Sequence, residues 1–146
     1  MSGDLKTRLQ EDLNAARKQR DRALILVLST TLSEIQNHEI EVRKPLPEEE
    51  VVRVVERAIK QRREAAEQMR AGQREELAAK EESEARVLSG YLPEPLTEAE
   101  VRALIQESIA GGADGIGGVM AAVMPRIRGR FEGKKANRIA REELAQ

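Results

Sequence analysis

The sequence predicts an all-α protein, and three observations carry that reading. Every strong hydrophobic period along the chain is the 3.6-residue period of a helix rather than the alternation of a strand. The apolar residues, 40% of the chain, are almost wholly aliphatic, because Tyr91 and Phe131 are the only aromatics. β-branched and aromatic residues outside helical patterns are too sparse to build a sheet. Capping residues at starts and glycine or proline at stops complete the pattern.

The elements follow in order. Leu5, Leu9, Leu13 and Ala16 fall on one face of a first helix. Leu24, Leu28, Thr31, Leu32, Ile35 and Val42 define a second. Its opening ALILVL is apolar all round, which predicts the most buried helix of its group. In KPLPEEE, Pro47 and three glutamates make a helix start, since proline suits the first turn and acids suit the positive end of the dipole. The third helix is predicted over about 48–71, with Val51, Val55, Ala58, Ile59, Ala65, Ala66 and Met69 inside and Gly72 just past its end. A fourth runs over about 74–89, and GYLPEPLT, with two prolines, marks a boundary between domains 1–92 and 93–146.

Beyond that boundary, Thr97 and Glu100 form a capping box opening a fifth helix with Val101, Leu104, Ile105 and Ile109 on one side. Asp114 can cap a sixth, striped by Ile116, Val119, Met120, Val123 and Met124. Gly129 and Gly133 bracket a turn before a last helix carrying Ala136, Ile139, Ala140 and Leu144. The expectation is four helices in the first domain and a compact three-helix second domain.

Composition removes several kinds of chemistry. There is no cysteine, so disulfides, thiolate catalysis and cysteine metal sites are excluded. No apolar run approaches the roughly 20 residues that span a bilayer, and MSGDLKTRLQED lacks the apolar core of a signal peptide. A cytoplasmic protein with no membrane partner is expected. The one histidine, His38, has no nucleophile pattern beside it and reads as half-buried near a helix end. GGADGIGG follows no strand and lacks the spacing of a phosphate loop, so it reads as an interhelical turn. Met120 and Met124 read as core filling. No catalytic residue, cofactor or metal ligand is predicted.

Two charge features stand out. Arg62 falls inside the apolar stripe of the third helix, and Glu81 and Glu84 share a face with Leu77 and Leu88 on the fourth. A charge on an inner face needs a partner, so Arg62 is expected to pair with one or both glutamates, unless the stripe is shallow and Arg62 snorkels outward. The second feature is MPRIRGRFEGKK at 124–135, with five basic side chains in twelve residues. Net charge is −1, yet 93–118 holds five acids and one base, and 119–146 holds seven bases and three acids. Pro125 disfavours helix at Met124. If the segment beyond it is extended, Arg126, Arg128 and Arg130 share a face; if it is helical, Arg128 faces away. In the last helix Lys134, Arg138 and Arg141 lie opposite the apolar residues. A phosphate-contacting surface leads, ahead of a protein-facing surface and a solvated loop. With Phe131 the only nearby aromatic, the RNA would be a structured one held by its backbone. The acidic 93–118 stretch is expected on the opposite surface.

IKQRREAAEQM, AAKEESEARVLSGYLPEPLTEAEV and GGVMAAVMPRIRGRFEGKKANRIAREEL together resemble the YqeY-like proteins. These are small helical proteins similar to the C-terminal tail of the GatB subunit of the glutamine-dependent tRNA amidotransferase. The resemblance spans nearly the whole chain and implies a helical domain followed by a three-helix domain. It also implies a tRNA-binding accessory role, beside a tRNA-modifying enzyme or alone. Arg126, Arg128, Arg130, Lys134, Lys135, Arg138 and Arg141 lie in or beside the family's MPxxxG run and following helix, the part expected to meet RNA. Phe131-Glu132-Gly133 stands where relatives usually read Ala-Asp-Gly, making a poorer helix cap. Ser29-Thr30-Thr31 replaces a region often basic in relatives. The alternative function is a protein–protein adaptor docking through the third and fourth helices. A third, implied by the resemblance alone, is a carbon–nitrogen ligase with glutamine as amido donor, for which no nucleophile–base pair is present.

Overall fold

The computed structural model describes residues 4–146, in which seven α-helices and no strands are found. They are α1 (Leu5–Gln19), α2 (Arg22–Val42), α3 (Glu48–Ala71), α4 (Glu75–Ser89), α5 (Glu98–Ala110), α6 (Gly115–Ile127) and α7 (Gly133–Leu144). The chain divides into two compact units that meet in sequence between Leu92 and Pro93.

In the first unit, α1 to α4 pack around an aliphatic core that includes Leu9, Leu28, Ile35, Val55 and Leu88. Asp4 and Asp21 cap α1 and α2, accepting from the amides of Thr7 and Leu24. Glu48 receives the Leu5 amide at 3.1 Å, and Glu39 holds both the Lys6 ammonium at 2.7 Å and the Leu46 amide at 2.9 Å. These bonds tie the start of α1, the end of α2 and the start of α3 into one pole. Lys6 and the Leu46 amide hold the Glu39 carboxyl below the usual carboxylate range. Tyr91 donates its hydroxyl to Asp12, and the Arg8 guanidinium lies 5.2 Å from the ring centroid while donating to the Tyr91 carbonyl. Burial and the Asp12 charge raise the Tyr91 hydroxyl pKa.

Several details differ from the sequence reading. The most buried helix is α3, with Val51, Val54, Val55, Ala58, Ile59, Arg62 and Ala66 inside, whereas α2 buries only Val27, Leu28, Thr31 and Ile35. Leu26 and Val42 of α2 are 46% and 48% exposed, because a helix on the edge of a bundle buries one stripe however apolar its sequence. Thr31 is accommodated in that stripe by donating its hydroxyl to the Val27 carbonyl at 2.8 Å. On α4 the inner face is Ala78, Ala85 and Leu88, while Leu77 is 45% exposed. Gly72 ends α3 with an ordinary negative φ, and the left-handed position falls to Gln73 at φ 61°.

Arg62 is 8% exposed. Its Nε donates to Glu84 Oε1 at 3.1 Å and its Nη1 to the Ala58 carbonyl at 3.1 Å, leaving Glu81 out of the pair. Arg70 bridges the same hairpin, bonding Glu75 at 2.9 Å and Glu82 at 2.6 Å.

In the second unit, α5, α6 and α7 enclose a separate core of Val101, Ile105, Val119, Val123, Ile127, Ala136, Ile139 and Ala140. The capping box at α5 is complete: the Glu100 amide donates to Thr97 Oγ1, and Glu100 accepts from the Thr97 amide. Asp114 occupies the N-cap of α6 without a side-chain cap bond, so its expected capping contact is absent.

Candidate nucleic-acid interface

The candidate surface is built on the turn from α6 to α7 and on α7 itself. Helix α6 continues through Met124 and Pro125 to Ile127, so the extended alternative for this segment is overturned. Pro125 sits in the final turn, where its missing amide removes a single intrahelical bond, and burial of Val123 and Ile127 holds the helix on course. The chain then reverses at Gly129, whose φ of 76° is a left-handed conformation suited to glycine.

The three arginines of this turn consequently have different surroundings. Arg126 is exposed and reaches Glu107 at 3.4 Å. Arg128 caps α6 and is half-buried. Arg130 Nε donates to the Glu94 carbonyl at 3.0 Å, and the Leu96 amide donates to the Arg130 carbonyl at 2.8 Å. Those two bonds clasp segment 94–96 to the turn, so Arg130 holds the segment before α5 against the α6–α7 turn. Phe131 is partly buried against the core, so the turn presents no platform of aromatics for stacking unpaired bases.

On α7, Lys134, Lys135, Arg138 and Arg141 are all exposed, and Ala136, Ile139 and Ala140 on the other side are buried. Glu132 stands at the N-cap with no side-chain cap bond and instead lies 3.9 Å from Lys135. Arg141 donates to Asn137 Oδ1 at 2.8 Å. Arg138 reaches Glu98 at 3.4 Å and Glu142 at 3.9 Å.

The acidic stretch is therefore not on the opposite surface. Glu98 and Glu107 of α5 meet Arg138 and Arg126 directly. The physical reason is the contact of α5 with both α6 and α7; through the second, Arg102, the one base of the 93–118 stretch, becomes a hub. It bonds Glu142 at 3.0 Å, Glu143 at 3.3 Å and Glu98 at 3.5 Å, and Gln106 also donates to Glu143. The hub escaped the sequence reading because the two partners of Arg102 on α7 are 40 and 41 residues away.

Elsewhere, His38 is half-buried and lines a 280 Å³ surface groove with Asn37, Gln61, Arg57, Glu34 and Glu41. Among the described residues no group of three or more His, Asp or Glu could hold a metal ion. No described helix is long and apolar enough to cross a membrane.

The chain is 29% identical over 128 residues to "Altered inheritance of mitochondria protein 41, mitochondrial" of Pyrenophora tritici-repentis, covering 84% of this chain and 71% of that protein. It is 33% identical over 91 residues to an uncharacterised protein of Schizosaccharomyces pombe, covering 62% of this chain and 74% of the relative. The family model described as "Yqey-like protein" matches residues 6–144, and the chain belongs to that family.

Proposed function

We propose that this chain is a non-catalytic tRNA-binding module, made of a four-helix domain over 1–92 and a three-helix domain over 93–146, acting alone or beside a tRNA-modifying enzyme. The observation that carries the reading is α7: Lys134, Lys135, Arg138 and Arg141 on the exposed side of a helix anchored by Ala136, Ile139 and Ala140. Core packing fixes the helix, and the helix presents the cations as a rigid set to a phosphate backbone. Their present partners are weak competitors. Exposed pairs such as Lys135–Glu132 and Arg138–Glu142, each at 3.9 Å, contribute about 0–1 kcal/mol, so a phosphate can displace the carboxylate. Arg128 and Arg130 contribute mainly by shaping the turn. Cytoplasmic location goes with this reading; a mitochondrial one is suggested by the name of the Pyrenophora relative.

The test is fluorescence anisotropy of the full chain with labelled total tRNA across a salt series, beside Lys134→Glu/Lys135→Glu/Arg141→Glu. These three sites are exposed, so the variant keeps its fold. Binding that weakens steeply with salt and is lost in the variant is expected. Binding that ignores salt, or an unaffected variant, overturns the reading for α7.

A protein-adaptor role is the second reading, favoured by Leu77, 45% exposed on the α3–α4 hairpin. A stable complex captured through that hairpin, lost in Leu77→Glu and insensitive to RNA, would put it first.

A further inference from the structure

The turn between α1 and α2 reads RKQRDR, with Arg17, Lys18, Arg20 and Arg22 in six residues. All four are exposed, and none makes a side-chain ion pair or hydrogen bond to another described residue. No carboxylate stands three or four positions before any of them. The one acid among them, Asp21, is committed to the Leu24 amide as the cap of α2. Residues one helical turn back are Leu13 and Asn14, so neither α1 nor α2 supplies the neutralising neighbours that α5 supplies to α7.

Helix chemistry accounts for half of this cluster. Arg17 and Lys18 lie in the last turn of α1, where cations suit the negative end of the dipole. Arg20 and Arg22 run against local preference. Arg20 is the C-cap of α1 in a left-handed conformation, φ 57°, a position that favours glycine. Arg22 is the first residue of α2, where a cation meets the positive end of the dipole. Arg43 also occupies a left-handed cap, but five acids lie within seven positions of it, Glu39, Glu41 and Glu48–Glu50, against three, Glu11, Asp12 and Asp21, in the same span around the α1–α2 turn.

We infer that the α1–α2 turn is a second RNA-contacting surface, in which Arg17, Lys18, Arg20 and Arg22 bind phosphates of a structured RNA backbone. The inference rests on the tRNA-binding reading and extends it to the first unit. A cluster of four cations with a single carboxylate among them fits a polyanion, and it carries no large apolar side chain between Asn14 and Ala23 to insert into a lipid surface.

The full chain, Arg17→Gln/Lys18→Gln/Arg20→Gln/Arg22→Gln and the α7 variant are compared for total-tRNA binding across a salt series, and for binding to phosphatidylserine–phosphatidylcholine vesicles. Loss of four phosphate contacts should flatten the slope of log affinity against log salt by about 3–4. Arg20→Gly separates charge from folding. Glycine relieves the left-handed cap, so this variant should melt at a higher temperature yet lose about 1 from the slope. A turn variant that binds tRNA with unchanged affinity and slope while the α7 variant fails overturns this inference and leaves the tRNA reading standing. Unmodified protein that does not bind tRNA overturns both. A turn variant that loses vesicle binding alone assigns the cluster to a membrane surface and also overturns it.

Discussion

The two basic regions of this protein, the α1–α2 turn and the α7 face, contain similar charge and hold it in different ways. On α7 Arg138 touches Glu142 of its own helix and Glu98 of α5, and at the end of α6 Arg126 touches Glu107 of α5. At the α1–α2 turn four cations stand with no side-chain partner among the described residues. The difference teaches that the number of basic residues in a segment does not measure the charge it offers to a ligand. What matters is how many carboxylates the fold brings to them. A surface already paired must exchange partners to bind phosphate, whereas an unpaired one gains the whole interaction.

The comparison is broken most directly where a paired cation is removed from a buried setting. Arg62 is 8% exposed, and its partner Glu84 keeps only 15% of its side chain in contact with solvent. Arg62→Ala should destabilise the first unit by about 3 kcal/mol, because Glu84 is left as a poorly solvated charge. Arg62→Met with Glu84→Leu should recover most of that loss. Urea unfolding followed by tyrosine fluorescence isolates the effect, since Tyr91 is the only tyrosine and belongs to the first unit. If the single variant matches the unmodified protein, pairing does not distinguish structural cations from binding ones.

A smaller loss is expected at the α5–α7 seam. Arg102 is 31% exposed along its side chain, but Glu143 beside it retains only 5%. Arg102→Ala should cost about 1–2 kcal/mol, the buried-pair penalty reduced by solvent screening. Helical circular dichroism during urea unfolding measures it, with the tyrosine signal as an internal reference for the first unit. A loss equal to that of Arg62→Ala would mean that the seam is drier than its exposure indicates.

The sequence made the local half of this architecture readable. Leu5, Leu9, Leu13 and Ala16 are buried as their spacing requires, and the Thr97–Glu100 box forms because its two members are three residues apart. Position among neighbours was less readable. ALILVL is apolar enough for a central helix, yet Leu26 faces solvent because nothing packs on that side of α2. The candidate surface suffers the same limit. The density of bases at 124–135 is plain in the sequence, but Arg138–Glu98 and Arg102–Glu142 join residues 40 apart, and only the fold brings them together. RKQRDR was visible throughout, denser in cations than MPRIRGRFEGKK, and its one acid, Asp21, is the cap of α2.

The smallest expected effect concerns the opposite pole of the α1–α2 hairpin, where Glu39 has two partners. Glu39 accepts from Lys6 and from the Leu46 amide, and both hold its pKa below the ordinary value of 4.5. Above that value the carboxylate is ionised in folded and unfolded chains alike, and its contribution to stability is fully present. As pH falls, the unfolded chain takes up the proton first, so the contribution drains away until pH passes below the depressed folded value. Thermal unfolding followed by tyrosine fluorescence should therefore show a steeper loss below pH 4.5 in the unmodified protein than in Glu39→Gln. Arg70 likewise lowers Glu75 and Glu82, so the difference between the two curves isolates Glu39. Parallel curves would mean that the Lys6–Glu39–Leu46 bonds form equally well with a neutral side chain.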